Sequence, residues 1–172
     1  MKTYWLGLFS AIVILPLAVG VFFRLGLGDI QADAAPPAWE SRVMTAAVHR
    51  SVDKRTGDLP AVSAADEDSL VRGGKLYMLG CAGCHGELGK PIKEDLAAYP
   101  RIPQLPGKGT QYSQPQIYWI VKRGIRMTAM SAYGRFYSEQ DLWSIVAFLH
   151  QIKNLPPTTE SKILTITNGA AH

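Results

Sequence analysis

The only two cysteines of the chain stand three positions apart, and a histidine follows the second directly: Cys81-Ala82-Gly83-Cys84-His85. Any fold of this chain must therefore bring two thiols and an imidazole onto one turn of backbone. A disulfide across so short a gap would close a tiny loop, which is rarely structural. Three uses remain: covalent haem attachment, a redox dithiol, or half of a metal site. A zinc site would need a second Cys/His pair at ligand spacing, and none follows. A thioredoxin-like dithiol would belong to a βαβ pattern, which the sequence lacks.

C-x-x-C-H is the attachment signature of c-type haem. The thiols of Cys81 and Cys84 would add to the two vinyl groups of the porphyrin as thioethers, and the spacing lets both reach one porphyrin edge. The His85 imidazole beside them would become an axial ligand of the iron. Gly83 is expected to keep the turn slim, and Gly86 and Gly89 to let the chain leave it.

Attachment of this kind takes place across a membrane, and the N-terminus supplies a route. Tyr4 to Phe23 are 20 residues without a charge. At ~1.5 Å per residue, a helix of that length spans the ~30 Å hydrocarbon layer. Lys2 precedes the run, Arg24 ends it, and Trp5, Phe22 and Phe23 lie near its two ends, where aromatics are often found. Pro16 and Gly20 are tolerated in membrane helices. The competing reading is a cleaved signal peptide with Ala32-Asp33-Ala34 as its cleavage site. The apolar run is longer than the ~7–15 residues of a signal core, and the cut would fall about ten residues beyond it. Both readings send the rest of the chain across the membrane.

Four segments follow. Residues 1–27 read as a transmembrane anchor, and 28–65 as a linker with a short amphipathic helix over 38–52. Residues 66–157 read as a small helical domain, and 158–172 as a flexible tail. Pro36-Pro37, Gly57 and Pro60 mark the breaks in the linker. In the domain, Asp66, Glu67 and Asp68 suit the first turn of a helix that ends near Cys81. Leu70, Gly73, Gly74, Tyr77 and Met78 form one face of it. Residues 86–112 are rich in Gly and Pro and read as loop. A second helix is predicted over 114–123, with Ser113 as cap and Pro115 in its first turn. A third is predicted over 139–154, where Asp141 answers the Ser138 cap and Pro156-Pro157 stops it.

Between the last two helices lies Gly124-Ile125-Arg126-Met127-Thr128-Ala129-Met130-Ser131-Ala132-Tyr133-Gly134, too polar and too bounded by glycine to be core. A methionine in such a loop is a candidate second axial ligand, and the segment holds two, Met127 and Met130. His49, His150 and His172 are remote alternatives that read as surface residues.

Here the chain resembles the class I monohaem, His/Met-ligated cytochromes c of the membrane-anchored bacterial type. Their loop commonly reads G-I-R/K-M-T-G-M-P-A-F/W, and the second Met is the ligand. The resemblance covers about 66–157 and implies Met130 as the axial sulfur, with Met127 as runner-up. It also implies that Gly73 and Tyr77 let the first helix cross the last one closely, with Phe148 as the aromatic partner. Pro103-Gln104-Leu105 resembles the loop whose Pro carbonyl accepts the Nδ1–H of the haem histidine, so Pro103 joins the site, with Pro106 as a rival. Ser131 departs from the pattern, which has Pro there. The stretch 38–56 is similar to the helix that precedes the domain in some anchored bacterial cytochromes. Trp119 and Trp143 are expected to line the haem pocket or core.

The expected fold is all-α: one N-terminal transmembrane helix, then a small class I cytochrome c domain around one covalent haem c. His85 and Met130 would close both axial positions, so the expected function is one-electron transfer between membrane redox complexes, not enzymatic catalysis. The alternatives are a fixed cytochrome subunit of a larger membrane oxidoreductase complex, or a haem enzyme or gas sensor with a labile Met130. The expected partners are redox proteins or oxidoreductase subunits and membrane lipid, with no small-molecule substrate. Residues 66–153 carry 11 Lys and Arg against 8 Asp and Glu, too dilute a basic balance for a nucleic-acid binder. Lys75, Lys90, Lys93, Lys122, Arg123, Arg126 and Arg135 could ring the haem edge. The expected location is the cell membrane, with the haem domain on the periplasmic side.

Overall fold

A computed structural model of the 172-residue chain describes residues 2–57, 59, 66–91 and 98–169, apart from the side chains of 2–4, 6–8, 168 and 169. Regular structure among these residues is helical throughout. The chain divides into two units, residues 1–34 and 35–172.

The first unit is one helix, α1 (Lys2–Arg24). It contains the uncharged run, and the Arg24 guanidinium closes its last turn, where a cation suits the helix dipole. Phe9, Ile12, Ile14, Leu15, Leu17 and Phe23 are all exposed around it. Among the described residues, no helix is long and apolar enough to cross a membrane.

The second unit is built on α3 (Glu67–Gly80), α5 (Gln114–Arg123) and α6 (Glu139–Gln151). Their starts follow from their caps. Asp66 accepts the Ser69 N–H at 2.8 Å, the Gln116 side chain accepts the Ser113 N–H at 2.8 Å, and Ser138 Oγ accepts the Asp141 N–H at 3.2 Å. A short 3₁₀ turn, Ile152–Asn154, completes α6. The core is the face of α6 that carries Leu142, Ile145, Val146, Phe148 and Leu149, packed with Tyr77, Ile117 and Val121.

α3 and α6 cross closely at Gly73. A Cβ on Gly73 would stand 2.0 Å from the Ser144 carbonyl oxygen and 2.9 Å from Phe148 Cβ. The Tyr77 and Phe148 rings then meet at 5.2 Å between centroids.

Two segments differ from expectation. Residues 158–169, expected within a flexible tail, belong to α7 (Pro157–Gly169), which packs on α3. Ile163 is fully buried and occupies the space where Gly74 would carry a Cβ. Pro157 ends the preceding segment as predicted, but its fixed φ also suits the first turn of a new helix. Residues 170–172, with His172, lie outside the described residues, as do Pro60 and Lys93.

Residues 28–65 are likewise more than a linker. Their helix, α2 (Ala38–Thr56), runs past the expected end at 52 and packs on α5. Val52 and Thr56 are buried. Asp53 accepts from Gln116 at 2.7 Å, the His49 and Tyr112 rings stack at 5.1 Å, and the Arg55 guanidinium lies 5.8 Å from the centre of the Trp119 ring. Trp119 therefore serves the α2–α5 contact, whereas Trp143 stacks on Tyr118 at 4.2 Å against the core.

Candidate haem-attachment site

Cys81 follows the last turn of α3, and α4 (Ala82–His85) is a single turn that carries the remaining motif residues. So short a turn has carbonyls without helical donors at its end. Those of Cys84 and His85, and of Gly86 just beyond, find donors elsewhere. Gln104 Nε2 donates to the Cys84 carbonyl at 2.9 Å, the Leu105 N–H to the His85 carbonyl at 2.9 Å, and the Tyr77 hydroxyl to the Gly86 carbonyl at 2.6 Å. Gly86 leaves the turn at φ 95°, and a Cβ there would meet Gln104 Oε1 at 2.9 Å. The positive φ is what requires glycine, since the Gln104 side-chain end could move aside. At Gly83 a Cβ would meet no protein atom within 4 Å.

The segment 103–105 thus lies along the motif. His85 Nδ1 stands 2.9 Å from the Pro103 carbonyl oxygen. A carbonyl only accepts, so Nδ1 carries the proton and Nε2 keeps the lone pair that a metal needs. Pro106 packs near Gly86 instead. Cys81 is half-buried and Cys84 exposed. Burial, with Cys84 beside it, pushes the Cys81 thiol up to about 11, so it stays protonated at neutral pH. Burial also raises the Tyr77 phenol, with Cys81 adding to the effect.

Met130 and Met127 are separated clearly. Met130 is half-buried and packs against the core. Met127 sits at φ 61° with 87% of its surface exposed. The loop between them is tied to itself: the Ile125 N–H donates to the Met130 carbonyl at 3.0 Å, and the Met130 N–H to Thr128 Oγ1 at 3.0 Å. Gly124, at φ 68°, makes room for this, since a Cβ there would meet the Met130 carbonyl oxygen at 2.7 Å.

Two thiols, an imidazole with a free Nε2 and a half-buried thioether form a donor set that suits haem c. Among the described residues, no three His, Cys, Asp or Glu gather into a metal-holding group. His49 is engaged with Tyr112, and His150 is exposed on α6. Of the expected basic ring, Lys122 is engaged within the domain. It pairs with Glu139 and donates to the Tyr118 hydroxyl at 2.7 Å, and Lys90 pairs with Glu87. Nothing in the sequence pointed to the bond from the Gln104 side chain to the Cys84 carbonyl, or to that from the Tyr133 hydroxyl to the Gly80 carbonyl just before the motif. Each bond spans a gap in sequence that no periodicity records.

Residues 68–149, a little under half of the chain, match the family model described as cytochrome C oxidase, cbb3-type, subunit III. No curated protein and no solved structure matches the chain.

Proposed function

We propose that this chain, whose residues 68–149 match that family model, is a class I c-type cytochrome that carries single electrons and is tethered to a membrane by residues 4–23. Cys81 and Cys84 would hold one haem c, with His85 and Met130 as its axial ligands. The observation that carries the reading is the 2.9 Å contact between His85 Nδ1 and the Pro103 carbonyl oxygen. It fixes the tautomer and the ring plane of the one histidine in the motif, as an outer partner of a metal ligand does.

The haem, when attached, supplies a one-electron iron couple. Met130 contributes a thioether, which favours ferrous iron and raises the potential relative to a second histidine. With an imidazole and a thioether both committed to the metal, the side chains leave no position for a substrate. The packed face of α6 and the Tyr77–Phe148 contact keep water from the interior beside the site.

The tether rests on α1, whose apolar side chains are exposed all round. A helix of that kind needs apolar surroundings, and a bilayer supplies them. The haem domain would stand on the periplasmic side of the cell membrane, where haem attachment takes place. Residues 25–37 would give it reach toward redox partners and raise its effective concentration there.

The match to an oxidase subunit III favours a second reading, a fixed cytochrome subunit of a membrane oxidoreductase complex. Extraction in mild detergent separates the two. Stoichiometric partners that survive washing mean a subunit, and a lone chain means a shuttle. Carrier function itself is tested by the visible spectrum of the reduced protein under carbon monoxide. A carrier leaves the spectrum unchanged, and ready binding of carbon monoxide overturns the reading in favour of a haem enzyme or sensor.

A further inference from the structure

His85 and Met130 come from segments 45 residues apart, and the loop that bears Met130 is stitched mainly to itself. Its internal bonds join Ile125 to Met130 and Thr128 to both Ile125 and Met130. At its far end a 3₁₀ turn, Tyr133–Arg135, leads into Tyr137. There the Tyr133 hydroxyl donates to the Gly80 carbonyl oxygen at 3.1 Å. Gly80 is the last residue of α3 and directly precedes Cys81, so its carbonyl is one that helix termination leaves without a helical donor. The Tyr133 ring also stacks on Tyr137 at 5.8 Å, and the Tyr137 hydroxyl stands 2.6 Å from where Gly80 would carry a Cβ. The loop therefore closes on the attachment motif through aromatic side chains of its own downstream end.

Resting on the His85/Met130 reading above, we infer that Tyr133 is a positioning residue: its bond to Gly80 holds the Met130 loop shut and so sets how readily Met130 gives up the iron. Ser131, one residue after Met130, has none of the stiffness of a proline, so main-chain rigidity at that point does not hold the loop. The ring of Tyr133 would pack equally well without its oxygen, which isolates the role of the hydroxyl.

An added ligand that competes with Met130 reads the opening directly. Its apparent affinity is its intrinsic affinity scaled by the fraction of open loop. The experiment is an imidazole titration of the oxidised holoprotein, followed by its visible spectrum, for the parent, Tyr133→Phe, Tyr133→Ala, Tyr137→Phe and Met130→Ala. Tyr133→Phe should bind imidazole about two- to tenfold more tightly, the range for one net hydrogen bond. Tyr133→Ala should bind more tightly again, and Tyr137→Phe should bind like the parent.

Parent-like binding by Tyr133→Phe, with Met130→Ala binding strongly, overturns the inference alone. So does an equal effect of Tyr137→Phe, since loss of either phenol hydroxyl beside Gly80 would then suffice and the Tyr133–Gly80 bond would not be the cause. Parent binding as strong as that of Met130→Ala overturns the axial assignment itself. The two failures are thus told apart. If Tyr133→Phe reduces thermal stability yet leaves imidazole affinity unmoved, Tyr133 is structural only and the inference is wrong.

Discussion

Gly73 and Ser144 share one space: a Cβ on the glycine would lie 2.0 Å from the serine carbonyl oxygen and 2.5 Å from its carbon. Both opposing atoms are backbone, so no rotamer change can relieve the contact. Gly73→Ala must separate α3 from α6 and loosen the Tyr77–Phe148 contact beside them. Overpacking of a core costs ~1–3 kcal/mol, and this case should reach the upper end because main chain must move. Denaturant unfolding of the holoprotein gives the value. A loss below about 0.5 kcal/mol, the scatter of ordinary surface changes, would mean that the helices cross more loosely than described.

Ile163 of α7 and Gly74 of α3 form a second contact of this type, with Ile163 Cδ1 2.3 Å from the position of a glycine Cβ. Ile163→Ala should cost ~2–5 kcal/mol, as for other buried large-to-small changes. Removal of residues 157–172 should cost at least as much and should also remove the Lys162–Glu67 ion pair. Thermal unfolding of both variants tests this, and an unchanged midpoint in the truncated protein would restore the loose tail that the sequence suggested.

That tail shows where sequence patterns lose their grip. Helices α3, α5 and α6 were legible because each starts at a polar cap and buries a stripe at helical spacing. Cys81, Cys84 and His85 were legible because their spacing is dictated by covalent chemistry. Residues 158–169 carry Thr, Ser and Lys among few apolar residues, and a helix held chiefly by one buried isoleucine leaves little periodicity to find. Beside the buried Val52 and Thr56, α2 reaches α5 through Asp53 and Arg55, and Tyr112 just before α5 through His49; these polar groups look like solvated surface until their partners are in place. Gln104 and Tyr133 escaped notice for the same reason, since each bonds a main-chain carbonyl that no pattern of side chains advertises.

The two loop methionines should behave oppositely. Met127 is 87% exposed, so Met127→Ala should leave the visible spectrum and the reduction potential of the holoprotein unchanged. Met130 is half-buried against the core, so Met130→Ala should admit carbon monoxide and lower the potential, because a thioether raises it. Redox titration with parallel carbon monoxide spectra decides the matter. A drop in potential in Met127→Ala, with none in Met130→Ala, would reverse the ligand assignment.

Asp141 makes the stability of the domain depend on acid. Its carboxylate is held below the usual range by the Ser138 hydroxyl first and the Arg72 guanidinium next, with Arg72 Nη2 at 2.6 Å joining α3 to α6. A depressed carboxylate stabilises the folded state above its unfolded value of ~3.9 and loses that contribution as pH falls through the folded value. The Arg72 side chain is about half exposed and that of Asp141 partly buried, so the pair lies at the surface and the effect is of order 1 kcal/mol, that of a helix cap plus a surface ion pair. Asp141→Asn should therefore be less stable than the parent at pH 7 by about this amount, and the difference should shrink as pH falls through the lowered folded value of the parent carboxyl. Glu139 and Asp66 are lowered as well and titrate in the same range in both proteins, so the difference between the two stability–pH curves isolates Asp141. A gap that stays constant from pH 7 to pH 3 would assign the loss to packing at the start of α6 and not to charge.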